Sequence, residues 1–167
     1  MPSVLSLPLL QLVKTLPAAA LKPAGMGAAV TKWKDSTSRG DSVAWVPLDR
    51  EFPDTAEHLR PLCASAGWDF FRSTLAQAVE ALNLTLKGSE RLHLPEKVMV
   101  AYYPAGTRYV RHSDVSPTVP HRRVTAILYL NEGWTPSQGG ELLLYPSGSE
   151  ESVRVDPRLG RMILYVD

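Results

Sequence analysis

From residue 97 onward the chain reads as six short apolar runs separated by turn signals: "KVMVAYYP", "RYVRHSDV", "RVTAILYLN", "GELLLYP", "SVRVDP" and "RMILYVD". No helical pattern lies between any two of them. Parallel neighbours need a crossover of a dozen or more residues, usually a helix, and these gaps are too short for one. The runs must therefore pair antiparallel, as in a sandwich, jelly roll or barrel. "VTAILYL" and "ELLLY" are apolar at nearly every position, which predicts strands covered on both faces with a helix layer outside. This spacing constrains the fold more than any other feature of the chain.

The first half has a different character. "SVAWVPL" (42 to 48) reads as a short strand ended by Pro47, and "DREFPDTAEHLRP" as a loop leading into helical turns. In "WDFFRSTLAQAVEALNL", Phe71, Leu75, Val79 and Leu82 recur at helical spacing, and Asp69 is placed to cap the start. The class is α+β with a β core. At 167 residues the chain suits one domain.

Charge and cysteine usage narrow the partners. With 18 basic and 17 acidic residues there is no general pull toward nucleic acid or anionic membrane. "PHRR" (120 to 123) gathers basic groups without interleaved aromatics and reads as a solvated loop. The single cysteine, Cys63, cannot make an internal disulfide, which points to a reducing compartment, cytoplasmic or nuclear. Residues 1–38 form a separate N-terminal segment, for which two readings stand. One is a core-facing helix around residues 8 to 16. The other is an organelle-targeting peptide, disfavoured by the absence of arginine and by Pro2 and Pro8 in the apolar stretch. No run approaches the roughly 20 apolar residues of a membrane-spanning helix.

The candidate chemistry lies in "RHSDV". In a strand, side chains two residues apart share a face, so His112 and Asp114 would converge while Ser113 points away. An imidazole and a carboxylate on one face are two thirds of the two-His-one-carboxylate triad that holds iron(II) with open positions. His-x-Asp alone is weak, and a surface pair in a turn is the competing reading. By the same alternation Thr125, Ile127 and Tyr129 share a face, so Tyr129 is either beside a small pocket or a core tyrosine. Gly139 and Gly140 suit a turn into the next strand. His93 and His121 read as loop residues.

These pieces sit in a wider pattern. "RGDSVAWV", "VMVAYYPAGTRYVRHSD", "RVTAILYLNEGW", "GGELLLYP" and "DPRLGRMILYVD" follow one another across residues 39 to 167. In that order and spacing the chain resembles the iron(II)- and 2-oxoglutarate-dependent prolyl 4-hydroxylases, especially the oxygen-sensing hypoxia-inducible-factor type. The resemblance implies a double-stranded β-helix (jelly-roll) core, about residues 95–167, with flanking helices. It implies iron(II) on His112 and Asp114, and 2-oxoglutarate against Tyr103, Ile127, Tyr129 and Leu142. Asp41, Tyr109 and Arg122 would position substrate or loops, with Asp41 in an ion pair with Arg122. The reaction would hydroxylate a prolyl residue of a protein or peptide with oxygen, giving succinate and carbon dioxide, with L-ascorbate as a supporting reductant.

The resemblance also carries a departure. The family places a second iron-binding His and a 2-oxoglutarate-binding Arg after the strand matching "RMILYVD", and this chain stops at Asp167. His58, His93 and His121 are not at the equivalent position. A domain incomplete at its C-terminus, with strands missing and little or no hydroxylase activity, is the expectation. Two alternatives are a jelly-roll binding module without catalysis and a 2-oxoglutarate oxygenase acting on another substrate.

Overall fold

The computed structural model describes residues 3–16, 20–25, 38–49, 56–85, 91–115 and 121–166, with side chains from residue 7 on. Helix α1 (Ser3–Lys14) begins the chain and buries Leu9 and Leu10. After the two-residue strand β1 (Lys22–Pro23) comes β2 (Ser42–Pro47). Then follow a 3-10 turn (Glu57–Leu59), the short helix α2 (Arg60–Cys63) with Pro61 in its first turn, and the long helix α3 (Ala66–Thr85). Pro61 is tolerated there because an N–H in the first turn has no partner within the helix.

The start of α3 differs from expectation. Ser65, not Asp69, caps it: the Ser65 hydroxyl accepts from the Trp68 N–H at 3.1 Å and donates to the Leu62 carbonyl at 2.8 Å. The helix opens before the apolar repeat does, which puts Asp69 inside the first turn. There it pairs loosely with Arg72 at 3.7 Å and faces the positive end of the helix dipole. The early start brings Gly67 against α1. A Cβ on Gly67 would lie 3.3 Å from the Leu9 backbone nitrogen, so the missing side chain lets the two helices approach.

The ladders among the described residues are all antiparallel. β3 (Lys97–Tyr102) pairs with β2 from Ser42↔Tyr102 to Pro47↔Lys97, giving a sheet ordered β1-β2-β3. β4 (Thr125–Leu128) pairs with β7 (Met162–Tyr165), and β5 (Leu142–Leu144) with β6 (Val153–Val155). The result is a mixed helix-and-strand architecture with small antiparallel sheets.

The core lies between the helices and β2. Leu9, Val46, Leu48, Leu59, Leu62, Cys63, Trp68 and Leu75 form one buried cluster, joined from the strand side by Val98, Val100, Leu128, Leu130 and Met162. Trp68 is 2 % exposed, and its indole N–H donates to the Pro47 carbonyl at 3.2 Å. The Cys63 thiol reaches the same oxygen at 3.8 Å. The expectation that "VTAILYL" and "ELLLY" are covered on both faces needs correction. Leu128 and Leu130 pack on the helical core, but Ala126 and Leu143 are exposed. An apolar run marks a strand without showing that both of its faces are covered.

"RYVRHSDV" is also not a strand. Its pairing stops at a single bridge, Arg39↔Tyr109, flanked by Gly40 N–H to Arg108 carbonyl (3.0 Å) and Val110 N–H to Ser38 carbonyl (2.9 Å). Gly40 is required at this crossing, since a Cβ there would lie 2.7 Å from the Cβ of Thr107. Beyond Val110 the polar side chains bond to the backbone in place of a ladder. The Ser113 hydroxyl donates to the Val115 carbonyl at 2.8 Å, a local pattern that competes with strand pairing.

Candidate metal centre

His112 and Asp114 converge although no strand aligns them. Nε2 of His112 lies 3.5 Å from Oδ1 of Asp114. Nδ1 of His112 sits 2.7 Å from the Val110 carbonyl oxygen, which can only accept, so Nδ1 carries the proton. A neutral His112 then keeps its lone pair on Nε2, the atom turned toward Asp114. This backbone bond is the kind that sets the tautomer of a metal-binding histidine.

The Asp114 carboxylate is divided in use. Oδ2 accepts from the Thr125 hydroxyl at 2.8 Å and from the Tyr165 hydroxyl at 2.8 Å. Oδ1 faces His112 and, at 3.2 Å, an Arg122 guanidinium nitrogen. These partners, His112 foremost and then the Tyr165 and Thr125 hydroxyls, hold Asp114 well below the usual carboxylate range against the opposing effect of burial. The same contact with Asp114 raises the pKa of His112, with burial opposing it and the Val110 carbonyl assisting. Burial and the bond to Asp114 push the Tyr165 phenol far up, so its hydroxyl stays a donor.

A second cluster adjoins the first. The Tyr109 ring stacks on the His112 imidazole with centroids 3.6 Å apart and planes 20° from parallel. The Arg39 guanidinium lies 4.4 Å from the Tyr109 centroid on a path that also takes it to Asp41, through bonds of 2.7 and 3.0 Å. Tyr103 joins this group, its phenol pushed up to about 12 by burial and by Asp41. Asp41 is therefore paired with Arg39, not with Arg122 as expected. The Arg39–Tyr109 bridge holds Arg39 beside Asp41, while Arg122 sits next to β4 and reaches Asp114.

The structure thus brings together His112, Asp114, Tyr109 and Arg122, with Asp41 and Tyr103 behind Tyr109. Among the described residues no hydrogen bond or ion pair joins Ile127, Tyr129 or Leu142 to them. Tyr129 continues the β4–β7 pairing through bonds to Arg161 and Gly160 of 2.9 Å each, and its hydroxyl has no partner among the described residues. Burial raises its pKa, and nearby Arg161 opposes that. Ile127 opposes Ile163, and Leu142 opposes Val155. The reading missed the role of Thr125 toward Asp114, and missed Tyr165 altogether. The signal was available: Thr125 and Tyr165 are directly opposite in the β4–β7 register, and cross-strand partners share a face.

The donor set fits a divalent transition metal. One imidazole nitrogen and one carboxylate oxygen 3.5 Å apart can touch the same ion at the usual distances of about 2.0–2.2 Å. Among the described residues no group of three or more His, Cys, Asp or Glu is placed to hold a metal ion.

Comparison with known families matches residues 98–167 to the description "2OG-Fe(II) oxygenase superfamily". Residues 98–167 belong to the 2OG-Fe(II) oxygenase superfamily. The oxygenase segment therefore contains both candidate ligands, both hydroxyls on Asp114 and Tyr129. Human Egl nine homolog 1 is 32 % identical over 143 residues, which is 83 % of this chain and 30 % of that protein. The Caenorhabditis elegans hypoxia-inducible factor prolyl hydroxylase is 42 % identical over 71 residues, covering 41 % of this chain and 10 % of that protein. The chain thus spans less than a third of either curated relative. A Pseudomonas putida prolyl-4-hydroxylase crystal structure superposes with a TM-score of 0.70 at 28 % identity, covering 99 % of this chain and 75 % of that one.

Proposed function

We propose that this protein is a peptidyl-proline 4-hydroxylase that uses iron(II), 2-oxoglutarate and oxygen, with oxygen sensing as its setting and a jelly-roll core as its scaffold. One observation carries the reading: His112 Nε2 and Asp114 Oδ1 face each other at 3.5 Å inside the oxygenase segment, with Nδ1 and Oδ2 engaged elsewhere. The relatives named as prolyl hydroxylases support the reaction and a proline-containing peptide as substrate.

Each residue has a separable task. His112, as neutral imidazole, and Asp114, as carboxylate, would hold the iron, and the single negative charge of Asp114 partly offsets that of the ion. Bound iron with its cosubstrate supplies oxygen activation, the part of the chemistry no side chain can perform. The hydroxyl of Tyr129, without a partner among the described residues, is suited to donate to a carboxylate of 2-oxoglutarate, with Ile127 on the same strand face toward its aliphatic part. Tyr109, stacked on His112 and covered by Arg39, shields one side of the imidazole from water.

The test is mass spectrometry of proline-containing peptides incubated aerobically with the protein, iron(II), ascorbate and 2-oxoglutarate. Addition of one oxygen atom to proline, matched by succinate, is expected. Oxygen on another residue type would remove the prolyl assignment.

A further inference from the structure

The Thr125 and Tyr165 hydroxyls are the strongest unassigned feature near the pair. They come from different strands, separated by 40 positions in the chain, yet the β4–β7 register sets them opposite one another and both meet the same carboxylate oxygen at 2.8 Å. Thr125 is buried and Tyr165 half-buried, so neither bond is a solvent contact of convenience. Asp114 itself lies on an irregular segment with no ladder of its own. Its side-chain direction is therefore set by these partners more than by its backbone.

We infer that Thr125 and Tyr165 are positioning residues that clamp Asp114 Oδ2, so that the carboxylate meets a metal ion through Oδ1 alone. A carboxylate has about four lone-pair sites on its two oxygens. Two hydroxyl donors occupy the sites of Oδ2, and swinging that oxygen onto an ion would break both bonds. Oδ1 keeps its orientation toward His112 Nε2. One-oxygen ligation leaves more of the ion's coordination sphere for small molecules than two-oxygen ligation does. The aromatic ring makes Tyr165 a long, stiff donor, while Thr125 is a short one fixed by its β-branch. This inference rests on His112 and Asp114 being the ligands, and its test separates the two claims.

The isosteric variants Tyr165→Phe and Thr125→Val delete one hydroxyl each and keep the shape, and Thr125→Ser restores the donor as a rescue. Mn(II) affinity would be measured on the full chain without oxygen or cosubstrate, by electron paramagnetic resonance of free Mn(II). The visible absorption of the Co(II)-loaded proteins would be recorded beside it. Loss of outer partners of this kind costs roughly 10- to 100-fold in metal affinity. Each single variant should fall in that range, Thr125→Ser should stay near the parent, and the Co(II) spectrum of Tyr165→Phe should shift as the second oxygen becomes free to ligate. Parent-like affinity and spectra in both isosteric variants, with His112→Ala still abolishing binding, would overturn the clamp while leaving the ligands in place. Undiminished binding by His112→Ala would overturn the ligand assignment, and the clamp with it. A drop in thermal stability without loss of affinity would assign the hydroxyls a structural role and also count against the clamp.

Discussion

Replacing Asp114 by asparagine should abolish metal binding for a reason specific to this structure. Asn keeps the size of Asp but turns one oxygen into an NH2 donor. The Thr125 and Tyr165 hydroxyls, both donating at 2.8 Å, are matched best by an oxygen at the Oδ2 position. The amide therefore orients its oxygen toward them and presents NH2 to His112 and Arg122, where Oδ1 had been. That nitrogen has no lone pair to offer an ion. The opposite flip would supply an oxygen ligand but place NH2 against two hydroxyls. Metal affinity should fall by more than the roughly 10- to 100-fold that outer-shell losses cause. The metal-free fold should weaken as well. Hydrogen bonds to a charged group contribute about 1.5–3 kcal/mol and those to a neutral one about 0.5–1.5, so the two hydroxyls together lose about 2 kcal/mol. The partly exposed contact with Arg122 adds little. For a chain of this length that is a lowering of Tm by about 4–8 °C. Mn(II) titration and thermal unfolding of the metal-free protein check both figures. Unchanged Mn(II) affinity in Asp114→Asn would refute the reasoning, since no orientation of the amide reproduces the carboxylate.

Other consequences are equally open to measurement. Tyr129→Phe removes one hydrogen bond to a charged cosubstrate group, about 1.5–3 kcal/mol, and should weaken 2-oxoglutarate binding by roughly 10- to 150-fold in calorimetry; equal affinity would make Tyr129 a core residue. Because Asp114 raises the pKa of His112, the pair's stabilisation of the metal-free fold is complete below about pH 6.5 and is lost as pH rises through the raised value. Mn(II) affinity should move the other way, growing as pH rises through the same value, since Nε2 must shed its proton to ligate; a flat affinity profile above pH 6 would contradict this. Trp68→Ala, which opens a cavity at the centre of the core and strands the Pro47 carbonyl, should cost about 3–5 kcal/mol in denaturant unfolding with no direct effect on metal ligation.

The sequence disclosed pairing direction and the convergence of His112 with Asp114 better than it disclosed local geometry. Antiparallel pairing after residue 97 followed from gaps too short for crossovers, and the β4–β7 and β5–β6 ladders have that direction. The convergence of His112 and Asp114 was anticipated on the wrong ground. A strand would align them by alternation, but here the Val110 carbonyl, Thr125 and Tyr165 do so through side-chain bonds. Such bonds depend on which strands face each other, and a pattern of apolar residues does not encode register. Tyr165 shows the limit most clearly: in "RMILYVD" it reads as one more apolar strand residue, and only its position opposite Thr125 brings the hydroxyl to Asp114. Asp41 failed for a related reason. Its partner Arg39 is two residues away, whereas Arg122 was the expected one, and it is the bridge to Tyr109 that places the loop.

The Pro47 carbonyl, shared by Trp68 and Cys63, bears on how the protein avoids sticking to copies of itself. β1 pairs only with Ser42 and Val43, so along the remainder of β2 one flank has no neighbouring strand among the described residues. A strand flank left uncovered invites an alien strand to add on and seed aggregates. At Pro47 an incoming strand would find no N–H to receive, because proline lacks one, and an acceptor already claimed by the indole and the thiol. The helical layer thus also acts as a stopper at the end of the sheet, and loosening Trp68 would release a sticky edge along with a buried ring.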